Sequence, residues 1–222
     1  MPGAIEQNVA KVRFDERGLV PCVIQDSRSS EVLTLAYMNE ESLKLTLETR
    51  EVHLFSRSRE KIWHKGETSG NVQRVEQIRF DCDADALVVL VEPAGPACHT
   101  GERSCFYRDL EGDADAAPDA EAGGEPEPVA GEALAALERT LAARAAERPE
   151  GSYTVSLLDD PKLAASKVNE EAAEVVRATE SESDERVAEE GADVIYHLAV
   201  LLLSRGLPLA AVMDVLNGRR GK

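Results

Sequence analysis

No stretch of this sequence approaches the roughly 20 consecutive apolar residues that span a bilayer as a helix, so no membrane-spanning helix is expected. The opening Met1-Pro2-Gly3-Ala4-Ile5-Glu6 lacks the basic and apolar segments of a secretory signal, which makes a cytoplasmic location the expectation. Cysteine is scarce, with four in 222 residues. In a reducing compartment such thiols, when clustered, serve as metal ligands or catalysts more often than as disulfides. Basic residues are outnumbered, 25 against 42 acidic ones, and the net charge of −17 argues against a general nucleic-acid binder. No internal repeat is present.

What is present is enough apolar residue, 43%, for one large domain or two small ones. Charge is unevenly spread. Residues 111–130 carry seven acidic and no basic side chains, together with three Pro, three Gly and no aromatic. Such a segment buries too little apolar surface to offset its ordering entropy, so it reads as a disordered acidic linker. The expected organisation is therefore a domain over 1–110, the linker over 111–130 and a second domain over 131–222. Within the first part, residues 50–74 hold six Arg or Lys against three Glu, a local patch suited to an anion.

The first part reads as strand-rich α+β. Leu19–Ile24, Val32–Met38, Val52–Ser56, Val72–Phe80 and Ala86–Val91 are rich in Val, Leu, Ile and Phe between polar turns. One helix is expected over Asn39–Thr49, with Asn39 as its cap. The second part reads as all-α. Glu132–Arg148 is rich in Ala and Leu, and Asp160-Pro161 opens a helix to about Thr179. Ser183 caps the next helix, whose apolar side is expected to hold Val187, Val194, Ile195, Leu198, Leu201 and Leu202. Gly206 ends it and Pro208 opens a last short helix.

Three groups of residues carry chemistry. Cys82, Cys98 and Cys105 lie within 24 residues. Three thiolates suit Zn²⁺ and leave a fourth position for water, whose pKa falls to roughly 7 on the metal. His99 is placed to move a proton, although it suits a structural role equally. Asp81, Asp83 and Asp85 share one face if the chain is extended there, with Cys82 on the other. Oxygen ligands of that kind suit Mg²⁺. Cys22, alone in Leu-Val-Pro-Cys-Val-Ile, reads as a small buried apolar residue.

A second group surrounds Ser56-Arg57-Ser58-Arg59 and Trp63-His64-Lys65-Gly66-Glu67-Thr68-Ser69-Gly70-Asn71. Arg57, Arg59 and Lys65 can pair phosphate oxygens, Thr68 and Ser69 offer donors, and Trp63 offers a face for a base or for packing. The bland alternative is an ordinary basic loop.

The third group is helical. Glu171 and Glu174 share a face at i, i+3, as do Glu190 and Asp193 on the next helix. Two antiparallel helices would turn these four carboxylates toward one another, which Mg²⁺ makes tolerable. Lys167, one turn before Glu171, stands to pair a phosphate or to salt-bridge that glutamate.

These motifs resemble two known families. Arg57 to Asn71, Asp81 to Asp85 and Cys98-His-Thr-Gly-Glu-Arg-Ser-Cys-Phe106 are similar to phosphoribosyl-AMP cyclohydrolase. Ser152-Tyr153-Thr154, Lys167 to Glu174, Glu190 to His197 and Leu216 to Arg219 are similar to phosphoribosyl-ATP pyrophosphatase, an all-α enzyme akin to the MazG-like pyrophosphohydrolases. Together they resemble the histidine-biosynthesis family in which both are fused. The resemblance implies pyrophosphate release by the second domain, then ring opening by zinc-bound hydroxide at adenine C6 in the first. It implies Mg²⁺ on Asp81, Asp83 and Asp85 and on the helical acids. It also implies a homodimer whose Zn²⁺, on Cys82, Cys98 and Cys105, is shared between subunits. The substrates would be small nucleotides. Arg50 stands where glycine is expected in a turn, and Asn169 where glycine is common. A zinc deaminase is disfavoured because no Cys-x-x-Cys occurs. A non-catalytic metal-buffering protein would bind zinc and leave both substrates unchanged.

Overall fold

The computed structural model describes residues 3–108 and 129–220, and the chain divides into two compact units, Met1–Glu127 and Pro128–Lys222. Residues 111–128 of the expected linker lie outside the described residues.

The first unit runs α1 (Ala4–Val9), β1 (Leu19–Asp26), β2 (Val32–Asn39), α2 (Glu40–Thr49), β3 (His53–Ser56), β4 (Lys61–His64), β5 (Gln73–Phe80) and β6 (Leu87–Pro93). Four strands form a sheet in the order β2-β1-β6-β5, and β3 and β4 pair separately. β1 and β6 are parallel, while β1–β2 and β5–β6 are antiparallel. Alternation decides which face is inward. Val20, Cys22 and Ile24 on β1 and Leu87, Val89 and Val91 on β6 are all buried. A fully buried side chain such as Ile24 or Leu33 contributes about 1.5–3 kcal/mol relative to exposure.

α2 begins as its sequence dictates. The Asn39 side chain accepts from Ser42 N–H at 2.8 Å, and Ser42 Oγ accepts from Asn39 N–H at 2.9 Å. It ends at Arg50, which adopts φ 58°, the left-handed conformation that explains why glycine suits this turn. Arg50 is held there by its guanidinium, which donates to Glu76 O at 2.7 Å.

The second unit, after a single 3₁₀ turn, runs α3 (Ala133–Glu147), α4 (Tyr153–Asp159), α5 (Pro161–Ser181), α6 (Asp184–Leu203) and α7 (Leu209–Arg219). Asp160 Oδ1 accepts from Lys162 and Leu163 N–H at 3.1 Å, which starts α5. Glu182 and Ser183 alone separate α5 from α6, so the two pack as a hairpin. Leu141, Leu157, Ala164, Ala199 and Val200 form the core. Among the described residues no helix is long and apolar enough to cross a membrane.

Three short elements are absent from the sequence reading: α1, β4 and α4. The inward side of α6 also differs. Ile195 is 44% exposed, whereas Glu190 and His197 are buried at 4% and 5%. Spaced seven apart, these two polar residues share the stripe that Val200 continues, so α6 turns a chemical face to its neighbours and leaves Ile195 outside.

Candidate metal centres

Asp81–Asp85 is a turn between β5 and β6, not extended chain, so the strand alternation expected there does not apply. Asp81 builds the turn by accepting the N–H groups of Asp85 at 3.0 Å and Ala86 at 3.2 Å, and Ala84 takes φ 64°. The turn still gathers Asp81, Asp83 and Asp85, with carboxylate oxygens within 4.8 Å of one another and all three residues exposed. Desolvation is the largest single influence on Asp81 and would raise its pKa. Hydrogen bonds from the N–H groups of Ala86 and Asp85 and with the Asp83 and Asp85 side chains together outweigh it and hold the carboxyl low. The charge of Asp83, then desolvation and Asp81, raises Asp85. Arg13 N–H donates to Ala84 O at 2.7 Å and braces the turn.

Cys98 and Cys105 meet. Burial alone would raise Cys98, yet hydrogen bonds from Thr100, Cys105 and the His99 backbone outweigh it and lower the thiol. Cys105 moves up, through burial and the neighbouring Cys98, against a hydrogen bond with Thr34. Thr100 Oγ1 donates to Cys98 Sγ at 3.1 Å, and His99 Nδ1 lies 3.8 Å from the same sulfur.

The loop is closed by Ala97 N–H to Arg103 O and Cys98 N–H to Glu102 O, both 3.0 Å, and Cys105 N–H donates to Leu33 O at 2.8 Å. Arg103 fastens it to the sheet, with Nε on Glu31 and Nη2 on buried Asp26, each at 2.5 Å.

Cys82 does not join this pair. It is exposed on the β5–β6 turn, at one end of β6, while Cys98 follows the other end. Seven strand residues at about 3.3 Å each separate the two ends by roughly 20 Å. The thiol pair and the carboxylate turn therefore lie apart within one chain.

Cys22 is fully buried, and burial pushes its thiol up to about 12 against a hydrogen bond from Ala36. Because the thiolate is the nucleophile, iodoacetamide at about pH 8 is expected to modify exposed Cys82 and to spare Cys22 in the folded chain. Peptide mass spectrometry reads this directly, and early labelling of Cys22 would contradict its place in the core.

The basic segment divides. Arg57 lies over the Tyr37 ring at 3.9 Å, a contact the sequence did not suggest, and Arg59, Thr68 and Ser69 are exposed. Lys65 Nζ donates to Ala97 O at 2.5 Å, next to the thiol pair. Trp63 is half-buried against the core and pairs with Leu54 across β3–β4. Gly66 takes φ 92°, and a Cβ there would fall 2.4 Å from the Asn71 carbonyl, so only glycine fits.

In the second unit Glu171, Glu174 and Glu190 converge, their oxygens within 4.8 Å of one another. Two of the three are buried, Glu171 at 8% and Glu190 at 4%. Each has a cation nearby: Lys167 Nζ at 3.7 Å from Glu171, Arg177 at 2.7 Å from Glu174, and Arg186 on Glu190. Lys167 is bound more closely to Glu170, at 2.9 Å, which is the main cause of its raised pKa.

Asp193, expected in the group, is exposed and stands outside it. The rotation of α6 that buries Glu190 and His197 carries Asp193 outward, and it contributes its backbone carbonyl, which lies 2.8 Å from His197 Nδ1. His197 and Tyr153, whose hydroxyl lies 3.1 Å from His197 Nε2, are the neighbours that the sequence reading missed. The spacing Glu190–His197, two helical turns, was the available signal for His197.

Two family models match the sequence, Phosphoribosyl-AMP cyclohydrolase over residues 34–107 and Phosphoribosyl-ATP pyrophosphohydrolase over residues 134–220. The sequence is similar along most of its length to proteins named histidine biosynthesis bifunctional protein HisIE. That of Bacillus subtilis is 49% identical over 216 residues, 96% of each chain. That of Halalkalibacterium halodurans is 47% identical over 215 residues, 96% of this chain and 97% of the relative. That of Thermus thermophilus is 44% identical over 205 residues, 90% of this chain and 88% of the relative.

Proposed function

Since the chain belongs to the bifunctional histidine-biosynthesis family that joins a phosphoribosyl-AMP cyclohydrolase to a phosphoribosyl-ATP pyrophosphohydrolase, we propose that its two units act in sequence on one nucleotide. The chain is a hydrolase. The reading rests chiefly on the position of a three-carboxylate group inside each matched region, with the thiol pair in the first.

In the second unit, phosphoribosyl-ATP is hydrolysed to phosphoribosyl-AMP and pyrophosphate. Glu171, Glu174 and Glu190 are an all-oxygen donor set whose mutual repulsion a hard cation relieves, so they fit Mg²⁺. Lys167 faces the phosphates from the same edge.

In the first unit, water adds to C6 of the adenine ring, the C6–N1 bond breaks, and N1 takes up a proton to give the formamidine-carboxamide. Cys98 and Cys105 fit zinc by donor type, and the depressed Cys98 favours the thiolate that binds it. One chain brings two sulfurs together, and on this reading the third, Cys82, would come from a second copy in a homodimer, as the family resemblance implies. Zinc so held would supply a water with its pKa lowered to roughly 7. Asp81, Asp83 and Asp85 would hold Mg²⁺, His99 beside Cys98 would move the proton, and Arg57 and Arg59 with Lys65, Thr68 and Ser69 would receive the substrate phosphates.

The test gives the purified full chain phosphoribosyl-ATP with Mg²⁺ and Zn²⁺ and follows both pyrophosphate and the ultraviolet change of ring opening. Both are expected, in that order. Pyrophosphate without ring opening would refute the cyclohydrolase half, and turnover of neither kind would refute the whole.

A further inference from the structure

The helical carboxylates are only part of a larger buried arrangement. His197 is 5% exposed, and both ring nitrogens are engaged. Nδ1 lies 2.8 Å from the Asp193 carbonyl oxygen and 3.9 Å from Glu171 Oε1, and Nε2 lies 3.1 Å from Tyr153 Oη. A carbonyl can only accept, so Nδ1 carries hydrogen when it makes that bond. In the neutral ring Nε2 is then an acceptor and the Tyr153 hydroxyl donates to it.

The ring is also clamped by aromatic edges. Tyr196 and Tyr153 meet it nearly perpendicularly, at centroid distances of 5.1 and 5.9 Å. Tyr196 is itself fixed through Thr154 Oγ1 at 2.8 Å, which accepts from Arg144 at 3.1 Å. One imidazole thus links α4, α5 and α6 at the place where Glu171 enters the carboxylate group.

We propose that His197 is a positioning residue, holding Glu171 and the Tyr153 hydroxyl in register so that the carboxylate group is assembled before cation or substrate arrives. The proposal rests on the reading that Glu171, Glu174 and Glu190 hold a divalent cation. Nδ1 is committed to the Asp193 carbonyl and lies 3.9 Å from Glu171, so the imidazole supports that carboxylate by close packing rather than by a hydrogen bond. Loss of a supporting neighbour of a metal ligand costs about 10–100-fold in metal affinity or activity. Tyr153 is half-exposed, so the hydrogen bond to its hydroxyl links the buried imidazole to the surface of the unit.

The test titrates the full chain with Mn²⁺, read by electron paramagnetic resonance. Glu171→Gln serves as the reference that lacks the helical site and so separates it from the Asp81 turn. His197→Ala is expected to weaken the helical site by about 10–100-fold. His197→Asn, whose amide can replace the Nδ1 donor, should recover part of that loss.

Tyr153→Phe should leave Mn²⁺ affinity unchanged and lower kcat for pyrophosphate release. Combining it with His197→Asn should cost no more in kcat than His197→Asn alone, because both remove one hydrogen bond. Unchanged Mn²⁺ affinity in folded His197→Ala together with unchanged kcat in Tyr153→Phe would overturn the proposal. Tyr153→Phe changes a half-exposed residue by one atom, so this arm does not depend on the alanine variant folding. If the unmodified chain and Glu171→Gln bind the same amount of Mn²⁺, the carboxylate reading itself fails, and the inference with it.

Discussion

Cys105→Ala is expected to abolish ring opening of phosphoribosyl-AMP and to leave pyrophosphate release unchanged. The residue is one of the two sulfurs that a single chain brings together, and its backbone is tied to β2 through Leu33. Alanine removes a metal donor outright. Losing an outer-shell partner already costs 10–100-fold, so loss of the donor itself should exceed about 100-fold in zinc affinity and in ring opening. On the proposed reading the second unit has its own donors, Glu171, Glu174 and Glu190, and it contains no cysteine. Zinc content by atomic absorption and the two product assays check the result together. Loss of pyrophosphate release along with ring opening would contradict the division of labour between the units.

Glu171→Gln is the reciprocal experiment. Pyrophosphate release should fall to background while ring opening of supplied phosphoribosyl-AMP persists. The stability change has a definite sign. Three carboxylates within 4.8 Å repel one another, and Lys167, Arg177 and Arg186 offset that repulsion in the metal-free chain. Glutamine keeps the shape and removes one charge, and Lys167 keeps its closer partner Glu170 at 2.9 Å. Metal-free stability of the helical unit should therefore stay level or rise. In the unmodified chain, Mg²⁺ at 100 times its Kd adds about 2.7 kcal/mol to a unit that binds it only when folded. The variant should show none of this gain. Calorimetry with and without Mg²⁺ measures both, and an equal gain in the two proteins would remove Glu171 from the metal site.

The features legible in the sequence were those set by local rules. Asn39, Asp160 and Ser183 each cap the helix they were expected to cap, because capping depends only on the two or three residues that follow. The alternating strands β1 and β6 were legible for the same reason. The short elements β4 and α4 were not, since Lys61-Ile62-Trp63-His64 and Tyr153–Asp159 are too short to establish a period.

The aspartates converge by a different route from the one expected. A period-two argument was applied to a stretch that turns at Ala84, where φ is 64°. Asp193 illustrates a second limit. The i, i+3 rule places it on the face of Glu190, but the packing of Val200 and His197 sets the rotation of that face and leaves Asp193 exposed. The role of His197 depends on Tyr153, 44 residues earlier, a distance over which local spacing says nothing.

The ion pairs of Arg103 have a consequence for the life of the enzyme outside its metal-loaded form. A zinc finger is unfolded without its ion because the metal supplies the folding energy. Here the segment from Ala97 to Cys105 is tied to Asp26, Glu31, Leu33 and Val32 by protein groups alone. Chelation should then leave the far-ultraviolet circular dichroism of the first unit nearly intact, while its melting transition falls only by the free energy of metal binding. A metal held there would then be an exchangeable part, removable and restorable with no new round of folding between.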